Sequence, residues 1–130
     1  MEDFQKLYKP FHKDTKRFLK KLPKRVKKDC ADKEALKNVK FLPKVLRPKD
    51  PGFRRGDVNM VTRKLKLLVS VLRVLLPKSR CMVKDKFVKW QERKSQKIVD
   101  QMDKLESSAA NLDPGKLVQG GCQGDRFGQK

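Results

Sequence analysis

Residues 58–76 read VNMVTRKLKLLVSVLRVLL, and the spacing of their apolar side chains sets the fold class. Val58, Val61, Leu65, Leu68, Leu72 and Leu75 recur at intervals of three and four, the repeat of an α-helix with a buried side. Met60, Leu67, Val71 and Val74 widen that side. Apart from Thr62 and Lys64 near the start, the polar residues then fall on one line: Asn59, Arg63, Lys66, Ser70 and Arg73. A helix apolar on almost every side is packed by several neighbours. The stretch is therefore expected to be the core helix, capped by Asp57 and stopped by Pro77. Its thin polar line either reaches solvent through a gap or faces a ligand. The longest apolar run, 65–76, is interrupted by Lys66, Ser70 and Arg73, whereas a membrane span needs about 20 apolar residues.

Working outward, Phe4, Leu7, Phe11, Phe18 and Leu22 mark a first amphipathic helix, with Pro10 a break or first-turn residue and Pro23 a stop. A second begins near Asp32 as N-cap, places Glu34 in its first turn, turns Leu36, Val39 and Leu42 inward and is interrupted by Pro43. The stretch RPKDPGFRRGD (47–57) is a connection. After Pro77, Ser79 is expected to cap a last helix to about residue 106, buried along Val83, Phe87, Trp90, Ile98, Met102 and Leu105 and more exposed at Lys94. Asp85–Lys89, Glu92–Gln96 and Asp100–Lys104 stand at i,i+4 on its outer face. The fold class is all-α: a single-domain bundle of four to five helices over residues 1–106, followed by a glycine-rich, irregular tail over 107–130.

Charge dominates function. Thirty-five Lys and Arg against fifteen Asp and Glu give a net charge of +20. Residues 1–57 carry 19 basic and 8 acidic side chains and residues 58–106 carry 13 and 5, so the folded body is basic throughout. Self-repulsion on this scale works against folding, which points to a large anionic partner. The densest run is KRFLKKLPKRVKK (16–28), with eight cations in thirteen residues and no acid. Its Lys16, Arg17, Lys20, Lys21, Lys24, Arg25, Lys27 and Lys28, with Arg54 and Arg55 of PGFRRG, are the candidate anionic-surface residues. Phe11, Phe18, Leu22 and Phe53 are the candidates for insertion into a membrane interface. Otherwise the aromatics at 4, 11, 18, 41, 87 and 90 fall on inward helical positions and are expected in the core.

Catalysis has little to stand on. His12 is the only histidine and sits beside Lys13, which points to a surface residue; paired carboxylates, a phosphate-binding glycine loop and a nucleophile elbow are all missing. Cys30, Cys81 and Cys122 lie far apart and suggest no metal site, so no cofactor is expected. One disulfide plus a free thiol, or three reduced thiols, follow according to compartment. The opening MEDFQKLYKP lacks the apolar segment of a signal peptide, which fits a cytosolic protein or a mature chain. An anionic lipid membrane, nucleic acid bound without sequence choice, or an acidic glycoprotein coat would each satisfy the charge. A nuclear or ribonucleoprotein setting would favour nucleic acid.

Size, charge, the YKPF at 8–11 and above all 58–105, where the core helix is followed by a basic turn and KFVKWQERKSQKIVDQMDKL, resemble the basic helical sperm acrosomal proteins of abalone and related gastropods. That family comprises egg-coat lysin and its fusagenic sperm paralogue. One Trp, one Tyr and three Cys depart from lysin and favour the paralogue. The resemblance implies a secreted, non-enzymatic protein of the acrosomal vesicle that perturbs membranes at gamete fusion. Its second implication is a lysin that opens the egg coat by binding its glycoprotein. It transfers no functional residue individually and leaves a homodimer open.

Overall fold

The computed structural model describes residues 1–30 and 33–112. Within them the chain forms α1 (Glu2–Arg25), α2 (Lys33–Val45), α3 (Pro51–Arg55), α4 (Val58–Met82) and α5 (Val88–Leu112), with a 3-10 turn at Asp85–Phe87 before α5. The all-α bundle expected from the sequence is what the chain adopts. Asp32, Cys122 and residues 113–130 lie outside the described residues, and with them the expected N-cap of α2 and most of the expected tail.

Proline is where expectation and structure part. The helices α1, α2 and α4 run through Pro10 and Pro23, Pro43, and Pro77 respectively. An interior proline removes one backbone hydrogen bond and crowds the preceding turn. Pro10, Pro23 and Pro77 are exposed, so water can serve the carbonyls they leave unmet, and Pro23 and Pro43 fall in last turns. Apolar side chains beyond Pro10, Pro43 and Pro77, Phe11, Val45 and Met82 among them, are buried, and that packing holds those helices together. Ser79 consequently lies inside α4 rather than capping α5. Its hydroxyl donates to the Leu76 carbonyl at 2.6 Å and accepts from Gln91 Nε2 at 2.7 Å, a buried polar link between α4 and α5. The last helix also continues six residues past 106, to Leu112, so the helical body extends into the segment expected as tail.

Asp57 caps α4 as anticipated, its carboxylate accepting from Met60 N at 3.1 Å. Just before it the connection folds into α3, closed by Gly56 at φ 76°. A Cβ there would be strained by the left-handed backbone and would stand 3.2 Å from Met1 Cγ. Gly56→Ala is therefore expected to cost about 1–2 kcal/mol, read as a lower urea midpoint.

The helix α5 packs against α1 and α4, and α2 does the same from the other side, so α1 and α4 lie across the bundle from each other. The order of contacts makes α5 antiparallel to both: Asp14 meets Gln101 while Phe18 meets Trp90, and Arg73 meets Glu106 while Arg80 meets Glu92. Val61, Leu65, Leu68, Leu72 and Leu75 of α4 are buried, as their spacing requires. The core helix is nonetheless open on one side: Leu67 and Val74, seven residues apart and thus on one face, are 48% and 51% exposed. On α2, Phe41 is exposed too, against its expected place in the core.

Candidate anionic-surface interface

Residues of α1 advance by about 100° each. On that wheel Lys6, Lys9, Lys13, Lys16, Arg17, Lys20, Lys21 and Lys24 fall within about 140° of arc, over about 27 Å of helix. All eight are exposed. Among the described residues none of them makes an ion pair. Between them runs an open groove of about 460 Å³ lined by Lys13, Lys16, Arg17, Lys20, Lys21 and Lys24 alone. Neighbours at i,i+4, such as Lys16–Lys20 and Arg17–Lys21, stand about 5–6 Å apart and repel by a few tenths of a kcal/mol per pair. The arrangement weakens the free protein; an anion laid along it relieves the repulsion.

Exposed Glu2 and Asp3 share the arc in the first turn of α1, before Lys6, and the chain's other acids are placed elsewhere. Glu92 pairs with Arg80, and Asp103 and Glu106 both pair with Arg73. Three acids of α5 thus serve α4 across the helix seam, while Asp100 accepts from Gln96 at i,i+4 on its own helix rather than pairing with the expected Lys104. Half-buried Asp14 is the one acid in the middle of α1. Burial pushes its carboxyl up, but hydrogen bonds from Gln101 and Lys97 and the charges of Lys97 and Lys94 outweigh that and hold it below its ordinary value. Its charge is turned toward α5 and leaves the stripe unopposed beyond the first turn of α1.

More cations border the stripe. Lys9, Lys49 and Arg54 line one groove of about 350 Å³ with Gln5, Pro48 and Phe53. Arg47 lies close enough to His12 to act on its titration together with Lys16. Of the predicted surface residues, Lys16, Arg17, Lys20, Lys21 and Lys24 come together on α1, with Arg54 flanking its N-terminal half. Arg55 and Lys28 are exposed. Lys27 sits past the helix end, paired to Asp85 at 3.9 Å where an antiparallel bridge, Val26 to Val83, ties the end of α1 to that of α4. Arg25 differs: it is half-buried, its guanidinium 4.3 Å from the Trp90 ring centroid and 4.6 Å from that of Phe87. It fastens α1 to α5 through cation–π contact rather than offering a free surface charge.

The four insertion candidates are corrected. Phe11, Phe18, Leu22 and Phe53 are at most 2% exposed. Phe18 stacks on Trp90 at 5.0 Å, and Phe53 packs against Phe4 and Tyr8 while its carbonyl accepts from Gln5 Nε2. They build the core beneath the cationic stripe, the ordinary place for an aromatic on the inner side of an amphipathic helix. Among the described residues the large apolar side chains that are exposed are instead Phe41, Leu67 and Val74. Sequence reading also missed Lys6 and Lys9, whose angular positions continue the stripe once α1 is carried through Pro10. Cys30 and Cys81 are free thiols.

Comparison of the chain with protein-family models, with curated proteins and with solved structures finds no match in any of the three.

Proposed function

We propose that this protein is a non-enzymatic cationic protein that binds and perturbs anionic membranes. The observation that carries this reading is the α1 stripe: eight exposed cations without ion pairs on one face of one helix. A basic side chain near an anionic leaflet contributes about 1 kcal/mol, so a 27 Å row meeting a flat surface side-on sums to tight, salt-sensitive binding. No helix among the described residues is long and apolar enough to cross a membrane, so the contact is one of surface and interface.

Apolar exposure favours lipid over nucleic acid. Leu67 and Val74 on α4 lie across the bundle from α1. One molecule therefore offers a charged face to one surface and an aliphatic strip, with exposed Arg63 one turn away, to another. That two-sidedness suits bringing two bilayers together. On the resemblance to fusagenic sperm proteins, we propose gamete membrane fusion as the setting of such an act, in a protein secreted from the acrosomal vesicle. The same surface charge would suit nucleic acid or an egg-coat glycoprotein, which the experiment below separates.

Lipid mixing between anionic vesicles is the test, with neutral vesicles and short duplex DNA as comparators. Mixing confined to anionic lipid is the expected result. Tighter binding to DNA than to vesicles, with no mixing, would move the reading to nucleic acid; binding to neither would leave a glycoprotein coat. In the same assay, Leu67→Ser combined with Val74→Ser is expected to reduce mixing several-fold. Two exposed sites should leave stability within about 0.5 kcal/mol each. Unchanged mixing would remove the apolar strip from the mechanism.

A further inference from the structure

A small cavity lies beneath the cationic stripe, where α1 meets α2. It measures about 10 Å³, and its wall includes Tyr8, Phe11, His12, Thr15, Leu42 and Leu68. Two polar atoms of these residues, His12 Nε2 and Thr15 Oγ1, are buried without a hydrogen-bond partner in the protein. They stand at i,i+3 on α1 and so on neighbouring ground. Buried polar atoms are rarely left unmet. A space of about 10–15 Å³ admits one water, and a water held inside a protein needs at least two polar partners. Size and chemistry match.

We propose that this cavity is a binding site for a single water held between His12 Nε2 and Thr15 Oγ1, and that it makes the contact of α1 with α2 sensitive to acid. In the neutral ring carrying its proton on Nδ1, Nε2 accepts from the water. Protonation turns Nε2 into a donor, so the water must reorient, and a new charge appears in a poorly hydrated place. The surroundings oppose that charge. On α1 the nearest cation is Lys16 and the ring of Tyr8 lies 5.7 Å away; the stretch between α2 and α3 brings Arg47 and the carboxylate of Asp50. From α2 and α4 the wall receives only Leu42, Pro43 and Leu68, none of which stabilises an imidazolium. Burial first, then Lys16 and Arg47, hold His12 below its ordinary value, with Asp50 pulling weakly the other way. The unfolded chain therefore takes up this proton before the folded one does. Stability is full above about pH 6.5 and falls as pH drops toward the folded pKa.

His12 is the sole histidine, so its ring signals in a proton NMR titration of the full chain are free of overlap. The expected midpoint lies below 6.5, with a lower Tm at pH 5.5 than at pH 7.5. His12→Gln should abolish most of that difference. Thr15→Val, close in shape, separates a wet cavity from a dry one: it lowers Tm if the water loses a partner, and raises it if an unmet hydroxyl has merely been removed. A midpoint at or above 6.5, a pH dependence that survives in His12→Gln, or a higher Tm for Thr15→Val would each overturn the proposal. Should His12→Gln fail to fold, the titration of the unaltered chain and the Thr15→Val melt decide it.

Discussion

Changing Lys16, Arg17, Lys20, Lys21 and Lys24 to Gln is expected to weaken binding to anionic vesicles by three to four powers of ten, with the fold intact. Each of these side chains is exposed and without an ion pair, so none is needed to hold the bundle together. At about 1 kcal/mol per charge near an anionic leaflet, five removals amount to about 5 kcal/mol. Helix propensity is little altered, because Gln ranks close to Lys and Arg. Losing the i,i+4 repulsions should make the variant slightly more stable than the parent chain. Vesicle co-sedimentation at fixed salt gives the first quantity and urea unfolding the second. Affinity within a factor of ten of the parent, in a variant shown to be folded, would contradict the role given to α1.

Phe11→Ala is expected to do the reverse, with a large loss of stability and no direct loss of lipid affinity. Phe11 is completely buried, its ring 5.6 Å from that of Tyr8, whose hydroxyl donates to the Leu46 carbonyl. Truncating such a phenylalanine removes both its transfer free energy and the packing around it, about 3–5 kcal/mol. In a domain whose whole stability is of the order of 5–15 kcal/mol, that brings the chain near unfolding at ordinary temperature. Urea unfolding measures the loss, and vesicle binding at low temperature, where the variant remains folded, measures the rest. A cost under about 1 kcal/mol together with weakened vesicle binding would return Phe11 to the membrane interface.

The two variants draw on residues that the sequence places side by side. Period three-and-four spacing made the helices of Phe4–Leu22 and Val58–Leu75 legible, because burial of one side is a property the pattern itself encodes. The Asp57 cap was legible for the same reason: its partner, Met60 N, is three residues away. The prolines misled, since whether Pro10 or Pro77 breaks a helix depends on packing from other parts of the chain, which no local window contains. Breaking α1 at Pro10 hid the continuity of Lys6 and Lys9 with the run that follows. Ser79 was misplaced likewise, its partner Gln91 coming from the next helix. Phe53 looked exposed because PGFRRG reads as a loop, but Phe4 and Tyr8, about fifty residues earlier, cover it. Leu67 and Val74 looked buried because a strongly apolar helix predicts neighbours all round, and the described residues leave both about half exposed on that side.

Which cations are unpaired is another matter of tertiary structure. Composition distributes charge almost evenly over residues 1–106, and nothing local tells Lys20 from Arg73. Only the antiparallel meeting of α4 with α5 commits Asp103, Glu106 and Glu92 to Arg73 and Arg80 and leaves α1 bare. The functional reading therefore rests on position and not on total charge.

That distinction is what a charge-matched comparison measures. Lys16, Arg17, Lys20, Lys21 and Lys24 are changed to Gln in one protein; Lys37, Lys40, Lys44, Lys89 and Arg93, exposed on α2 and α5, are changed in another. Net charge falls equally in both. If α1 is the binding face, the first variant loses affinity for anionic vesicles at least a hundredfold more than the second, and its salt dependence flattens as fewer counterions are exchanged. Equal losses in the two would mean that overall charge, and not the α1 stripe, holds this protein to its anionic surface.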